Sequence, residues 1–366
     1  MRRRHAPRVR RVVYLPALLV LAGVLLVPEA SDPCAVEAQP TDSPARPAVA
    51  RTERGGPRLR VVSHVRTGIQ PKSVEVSPDG RHVWVANFGR PDRENVFVYD
   101  AETLERVGTV EFPGNAVEIA FSADSRTAFV SNFREHRIEV VDTQTFAVQR
   151  SVHVGGHPKV IAIAPGGRRI YVANWATEQV TELDGETFSV RRRLSTGEHP
   201  RGMAIARGGQ RIFVAAMYSH LIQVFDRGAS TERTSFRPCE FPRHLLLAPD
   251  ESRLYASCSC CRQVRWFDPE TYRLMGIGQT GQNPRSIALS SEGRWLAAAD
   301  FDDSSVTLID TRELTHRVFP VEGANQIVGV AIRPGDVPLR IYATSWLTGE
   351  LYVIEPVIES VPARAP

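Results

Sequence analysis

Residues 158–195 read PKVIAIAPGGRRIYVANWATEQVTELDGETFSVRRRLS. Four short runs in this stretch, Val160 to Ala164, Arg169 to Asn174, Val180 to Asp184 and Phe188 to Ser195, are rich in β-branched, aromatic and other apolar residues. Gly, Pro and Asp residues, which are typical of turns, separate the runs. The pattern predicts four short strands joined by turns, which form an antiparallel meander.

This unit recurs along the chain at a nearly constant spacing. An acidic residue ends the third run of six successive units, 42 residues apart, at Asp100, Asp142, Asp184, Asp226, Asp268 and Asp310. Glu355 follows 45 residues later. A second marker is a proline before the first strand, at Pro71, Pro158, Pro200, Pro242 and Pro284, with Ala116 and Ile327 at the equivalent positions. Four-stranded repeats of this length predict the blades of a β-propeller, because one such sheet cannot bury both faces alone.

The two ends of the repeat predict how the ring closes. The last unit supplies only three strand-like runs, from Val328 to Glu355, whereas Leu59 to Arg66 matches the fourth strand of other units, such as Arg106 to Glu111. We therefore predict an all-β fold over residues 58–356. It is a seven-bladed β-propeller of four-stranded antiparallel blades, and the N-terminal strand closes the last blade and removes the exposed edges of an open ring.

The segments outside the ring predict export. Residues 1–38 combine an Arg-rich start with an apolar run from Val12 to Val27, which is typical of a secretory signal peptide. Residues 39–57 are rich in Pro, Ala, Arg and Gly and predict a disordered linker, and residues 357–366 predict a flexible tail. We expect a monomer in the periplasm or outside the cell. Membrane contact is expected only through an uncleaved signal or a lipid on Cys34.

The charge distribution restricts the partners. The formal net charge of the chain is +4. Residues 1–38 contain six Arg and three acidic residues and so carry +3 of this charge, which leaves the remainder close to neutral. A near-neutral body has no general field that would attract nucleic acid. Nucleic acid is therefore not an expected partner, and recognition of an anion must be local.

A motif in several second strands resembles that of a known family. Tyr171-Val172-Ala173-Asn174, with the variants Trp84 to Asn87 and Phe129 to Asn132, is similar to the YVTN-type β-propeller repeat, and so is Pro200 to Ala206. The resemblance covers residues 59–355 and implies the propeller fold. It implies no single function, since the family includes binding and surface proteins, DNA binders, lactonase-like enzymes and relatives of amine dehydrogenase subunits.

Propeller geometry predicts that two loops of every blade meet on one face. The loop that enters the first strand and the loop between the second and third strands open toward the same mouth of the central channel. The first loop carries a cation in five blades: Lys72, Lys159, Arg201, Arg243 and Arg285. Such a ring favours an anionic ligand unless acidic residues such as Glu118 and Asp300 neutralise it. The alternative is that these side chains bind carbonyl groups of the next blade.

The second loop begins with a large apolar residue in most blades. These residues are Phe88, Phe133, Trp175, Met217, Phe301 and Trp346. Partly exposed aromatic rings beside cations can stack on a planar ligand or a sugar, at about 0.5–2 kcal/mol per contact. The alternative is that they fill the channel mouth or pack between blades. Together the two loops predict a face that binds a small anionic or planar ligand, or a protein partner.

Four cysteines lie in the fifth blade. Cys239 is in its entry loop, and Cys258, Cys260 and Cys261 are in the opposite loop. In an exported protein this pattern favours a bridge from Cys239 into the trio, with Cys260–Cys261 as a candidate second bridge. The alternative is a thiolate site for zinc or copper, with His244 as a further ligand. No other cofactor is expected.

No nucleophile motif or phosphate-binding loop appears in the sequence. The favoured function is therefore a non-catalytic ligand-binding, protein-binding or scaffold module that acts through the channel mouth. One alternative is a lactonase-like hydrolase, in which the mouth cations polarise a carbonyl and a His or Glu is the base. The other is a metal-binding or redox-partner subunit that resembles amine dehydrogenase propellers.

Overall fold

The computed structural model describes residues 49–335 and 339–357. The expected signal peptide and most of the expected tail lie outside these residues. No helix in the described part of the chain is both long and apolar enough to span a membrane.

Thirty strands make up the described chain, and 28 of them form seven four-stranded antiparallel sheets. The first three strands are β1 (Ala50–Arg51), β2 (Glu53–Arg54) and β3 (Leu59–Arg66). Blade 1 contains β4 (Pro71–Val76), β5 (His82–Asn87), β6 (Val96–Asp100) and β7 (Arg106–Val110). Blade 2 contains β8 (Ala116–Phe121), β9 (Thr127–Asn132), β10 (Arg137–Asp142) and β11 (Val148–His153). Blade 3 contains β12 (Pro158–Ile163), β13 (Arg169–Asn174), β14 (Gln179–Asp184) and β15 (Val190–Ser195).

The remaining blades repeat this arrangement. Blade 4 contains β16 (Pro200–Ala206), β17 (Arg211–Ala216), β18 (Leu221–Asp226) and β19 (Thr234–Phe236). Blade 5 contains β20 (Pro242–Leu247), β21 (Leu254–Cys258), β22 (Gln263–Phe267) and β23 (Leu274–Gln279). Blade 6 contains β24 (Pro284–Leu289), β25 (Trp295–Asp300), β26 (Ser305–Asp310) and β27 (Thr315–Pro320). Blade 7 contains β28 (Ile327–Ile332), β29 (Ile341–Ser345), β30 (Glu350–Pro356) and, from the start of the chain, β3.

The first strands of neighbouring blades contact one another around a closed circle. β4 contacts β8 on one side and β28 on the other, so the first and last blades are neighbours. β3 pairs with β30 from Leu59 opposite Pro356 to Arg66 opposite Glu350. The predicted all-β, seven-bladed propeller and its closure by the N-terminal strand are therefore confirmed.

Burial is greatest in the two middle strands of each blade. The middle strands lie between two neighbouring blades, so successive residues of β5 such as Val83, Trp84 and Val85 are fully buried. The outer strand β15 is mostly exposed. This explains why the middle strands are mainly apolar while the outer ones carry more charges.

The acidic marker has a structural cause in the turn that follows each third strand. Asp184 Oδ1 accepts hydrogen bonds from the backbone N–H groups of Glu186 and Thr187, at 3.0 and 2.8 Å. The same pair of bonds forms at the equivalent Asp100 and Asp142. These bonds hold the pKa of each of the three carboxyls below its usual value. The repeated carboxylates therefore form turns.

Residues 49–57 differ from the disordered linker that their composition predicts. β1 adds in parallel to β23, and β2 adds in parallel to β27, at the outer edges of blades 5 and 6. Thr52 Oγ1 lies 3.0 Å from His316 Nδ1 and accepts a hydrogen bond from the backbone N–H of Gln279. An open strand edge has unpaired backbone N–H and C=O groups that can pair with an extended segment. Amino-acid composition does not predict such backbone pairing.

Candidate functional site: the central channel

Five blades bring a cation to one end of the central channel, as the sequence predicts. A single cavity of about 30 Å³ is lined by Lys72, Lys159, Arg201, Arg243 and Arg285, with Val117 and Val328 from the other two blades. This volume has room for about one or two water molecules. Lys72, Arg243 and Arg285 are buried. The cations therefore meet in a narrow constriction.

A backbone hydrogen bond joins the two loops that form the mouth. In blade 3 the residue before the proline, His157, has φ 56°, and its carbonyl accepts the N–H of Trp175 at 3.0 Å. In blade 1 the carbonyl of Gln70, which has φ 53°, accepts the N–H of Phe88 at 2.9 Å. In blade 3 this link places Trp175 of the second loop beside Lys159 of the first.

The aromatic residues hold these cations in place. Lys159 Nζ lies 4.5 Å from the ring centroid of Phe133 and 5.5 Å from that of Trp175. Lys72 Nζ lies 4.5 Å from the ring centroid of Trp346. Such contacts stabilise a cation that has lost water, by up to about 2 kcal/mol each.

The ring faces are more enclosed than the sequence predicts. Phe133 stacks on His157 at 4.2 Å between centroids, and Trp175 stacks on His199 at 4.0 Å. Phe133, Phe301 and Met217 are buried; Phe88, Trp175 and Trp346 are half-buried. Packing against cations and between blades is the arrangement that the structure shows, because each second loop contacts the entry loop of the next blade.

A carboxyl and an imidazole lie beside the cations in the channel wall. Glu118 of β8 and His244 of β20 line the cation cavity. Burial raises the pKa of Glu118 to about 7, although the positive charges of Arg201, Lys72 and Lys159 act in the opposite direction. Glu118 therefore exchanges a proton near neutral pH.

His244 is neutral in the channel. Burial lowers its pKa to about 4, and the charges of Arg201 and Arg243 add to this effect. Its Nδ1 accepts the backbone N–H of Ile287 at 3.1 Å, which leaves the proton on Nε2. The sequence predicts His244 as a further metal ligand beside the cysteines. In the structure His244 lines the channel instead.

Glu75 is a channel residue that the sequence reasoning missed. It lines a wider part of the channel together with Glu118. Burial raises its pKa well above the usual value, and the charge of Glu118 raises it further. The signal was present, because the other blades have a small or apolar residue at this position: Ala120, Ala162, Ala204, Leu246, Ala288 and Ala331.

The cysteines of blade 5 form the predicted bridge. Cys239 and Cys258 are joined in a disulfide with Cα atoms 5.9 Å apart. Cys261 is a free thiol, so the candidate Cys260–Cys261 bridge is wrong. Cys260 lies with it in the 3₁₀ turn Ser259–Cys261. In the described residues no three His, Cys, Asp or Glu side chains are placed to hold a metal ion, and the bonded sulfurs favour the disulfide interpretation.

This disulfide stands where blades 2 and 3 make a polar contact between the entry loop and the second strand. Blade 3 has Gly155 and Asn174 at the positions of Cys239 and Cys258. A Cβ on Gly155 would lie 3.0 Å from the amide of Asn174. In blade 2 Asn132 Nδ2 donates to the carbonyl of Pro113 at 2.7 Å. Blade 5 therefore ties its entry loop to its second strand covalently, where blade 3 has a glycine and an asparagine.

Comparisons with known proteins agree with this architecture. A family model described as "Lactonase, 7-bladed beta-propeller" matches residues 71–237. No curated protein matches the sequence. The chain is similar to the solved structure of Kuenenia stuttgartiensis hydrazine synthase, with a TM-score of 0.69, 18% identity and coverage of 81% of this chain and 99% of that one.

A second solved structure is the β-propeller domain of Myceliophteria thermophila Cps50 (Swd1). Its TM-score is 0.71 at 13% identity, over 82% of this chain and 100% of that one. At such identities a structural likeness shows the fold alone. The seven-bladed arrangement and the matching family model together support a YVTN/lactonase-like β-propeller.

Proposed function

We propose that this propeller is an exported, non-catalytic binding module that holds a small anion at the cation ring. The observation that supports the proposal is that five blades direct a cation to one cavity. Among the described residues that line this cavity, Glu118 supplies the one carboxyl against five cations. A charged cleft with low-dielectric walls concentrates ions of the opposite sign.

The packing of the mouth supports the same function. Contacts with Phe133 and Trp175 fix the Lys159 ammonium before any ligand arrives. Less side-chain entropy is then lost on binding, which increases affinity. The narrow constriction suits a carboxylate or phosphate group better than a large planar molecule.

The proposal predicts that the channel cations determine anion affinity. We expect Arg201→Ala and Lys159→Ala each to weaken the binding of acetate, phosphate or citrate at least tenfold, or about 1.4 kcal/mol. Isothermal titration calorimetry at low ionic strength measures this. The matched control is Arg126→Ala, an exposed residue in a turn of blade 2. Equal affinities in the wild type and both channel variants would refute the proposal.

A lactonase-like hydrolase is the second candidate function. Glu118 favours it, because a carboxyl with a pKa of about 7 beside cations suits a general base near neutral pH. The cations would stabilise the oxyanion that forms when water attacks a lactone carbonyl. We expect Glu118→Gln to abolish turnover of any lactone that the wild type hydrolyses. If the wild-type protein hydrolyses no lactone of a panel faster than buffer alone, the hydrolase is refuted and the binding module remains the proposed function.

A further inference from the structure

Next to the cation ring the channel widens into a second cavity. Its volume is about 380 Å³. It shares Glu118, Val160 and His244 with the cation cavity, so the two cavities adjoin. A cavity of about 150 Å³ is large enough for a benzene molecule. The second cavity therefore has room for a group about the size of two such rings.

Thirteen of the sixteen residues that line this cavity are apolar. Beyond Glu75, Glu118 and His244 its lining comes from the first strands of blades 2 to 5 and from Pro165. Ile163, Ile205 and Leu247 line it and are only half-buried in a ring whose middle strands are fully buried. Apolar concave walls with polar groups at one end are typical of small-molecule sites.

We propose that the channel binds an amphipathic carboxylic acid, with its carboxylate at the cation ring and its apolar body in the wide cavity. This inference rests on the proposed function, because the headgroup uses the same cations. Charge complementarity selects an acid, since Arg201 and Lys159 lie at the narrow end. The apolar residues of the wall favour a ligand with an apolar body, because each Å² of apolar ligand surface that is buried there contributes about 25 cal/mol.

Glu118 lies at the boundary between the two parts. Its surroundings contain Arg201, Lys72 and Lys159, the carboxyl of Glu75 and the imidazole of His244. An ionised Glu118 repels a ligand carboxylate, whereas a protonated one can donate a hydrogen bond to it. Binding therefore takes up a proton, and the affinity for the acid increases as the pH falls from 8 to 6.

Three probes test the two parts of the site by calorimetry on the purified protein. These are acetate, 2-naphthoate and the uncharged 2-naphthalenemethanol. We expect naphthoate to bind at least tenfold more tightly than either of the others. Ala162→Leu, which fills part of the cavity wall, is expected to weaken naphthoate at least tenfold and to leave acetate unchanged. Naphthoate is expected to bind about tenfold better at pH 6 than at pH 8, and Glu118→Gln to remove this difference.

The outcomes separate this inference from the proposed function. If acetate and naphthoate bind equally and both are lost in Arg201→Ala, the anion site stands and the apolar part is refuted. If naphthalenemethanol binds as tightly as naphthoate, the role of the cations in the inferred site is refuted. If naphthoate does not bind, this inference is wrong, and if acetate, phosphate and citrate do not bind either, the proposed function is wrong as well. Ile205→Phe is a second cavity-filling variant, for use if Ala162→Leu does not fold.

Discussion

Deletion of the chain through Arg66 is expected to destabilise the entire ring. The deletion removes β3, which pairs with β30 at seven positions from Leu59 to Arg66. It also removes the buried Leu59 side chain and the carbonyl of Arg66, which accepts the hydroxyl of Tyr99 in blade 1. At about 1 kcal/mol per hydrogen bond, the loss is on the order of 5 kcal/mol, which is comparable with the stability of a whole domain.

Chemical denaturation of two truncated proteins measures this effect. Deletion through Pro57 is the matched control, because it removes the short strands β1 and β2 and keeps β3. We expect the control to lose less stability than the longer deletion. It removes the two short parallel pairings and the contacts of Thr52, but it keeps all seven paired positions of β3 and β30. If both truncated proteins unfold at the same denaturant concentration, closure by β3 does not stabilise the ring.

Replacement of Cys258 by serine is expected to lower the free energy of unfolding by about 3 kcal/mol. The disulfide closes a loop between residues 19 apart, and loops of this size give stabilisation of that order. The double variant Cys239→Gly with Cys258→Asn restores the pair that blade 3 has at Gly155 and Asn174. It is expected to recover about 1 kcal/mol, the net contribution of one hydrogen bond.

The free thiol provides the control for this series. Cys261→Ser changes a cysteine in the same turn without breaking the Cys239–Cys258 bond. We expect its unfolding free energy to lie within about 0.5 kcal/mol of the wild type. If the double variant is no more stable than Cys258→Ser alone, the glycine–asparagine pair does not stabilise this position, and the disulfide and the polar contact are not equivalent.

Much of the fold is predictable because the signal is repeated. The turn aspartates, such as Asp184, act through bonds to amides two and three residues away, so their spacing appears directly in the sequence. The matching of Leu59–Arg66 to a fourth strand is also a local comparison of patterns. The strands of residues 50–54 were missed, because their pairing depends on the exposed edges of β23 and β27 and on no pattern of their own.

Less of the site is predictable. The spacing correctly brings Lys159, Arg201 and the other cations to one mouth. It does not show that Phe133 is covered by Lys159 and His157, because those contacts join side chains of neighbouring blades. Nor does it show the environment of Glu118, whose pKa depends on burial and on charges from blades 1, 3 and 4.

The sequence by itself determined the number of blades, their strand order and the closure, because turn chemistry and strand preference act over a few residues and recur in every repeat. Only the tertiary structure decided what the channel can hold. Its width, the apolar cavity beside the cations and the proton on Glu118 arise where inner strands from many blades meet around one axis. Burial and Coulomb forces there depend on distances in space, which separation along the chain does not specify.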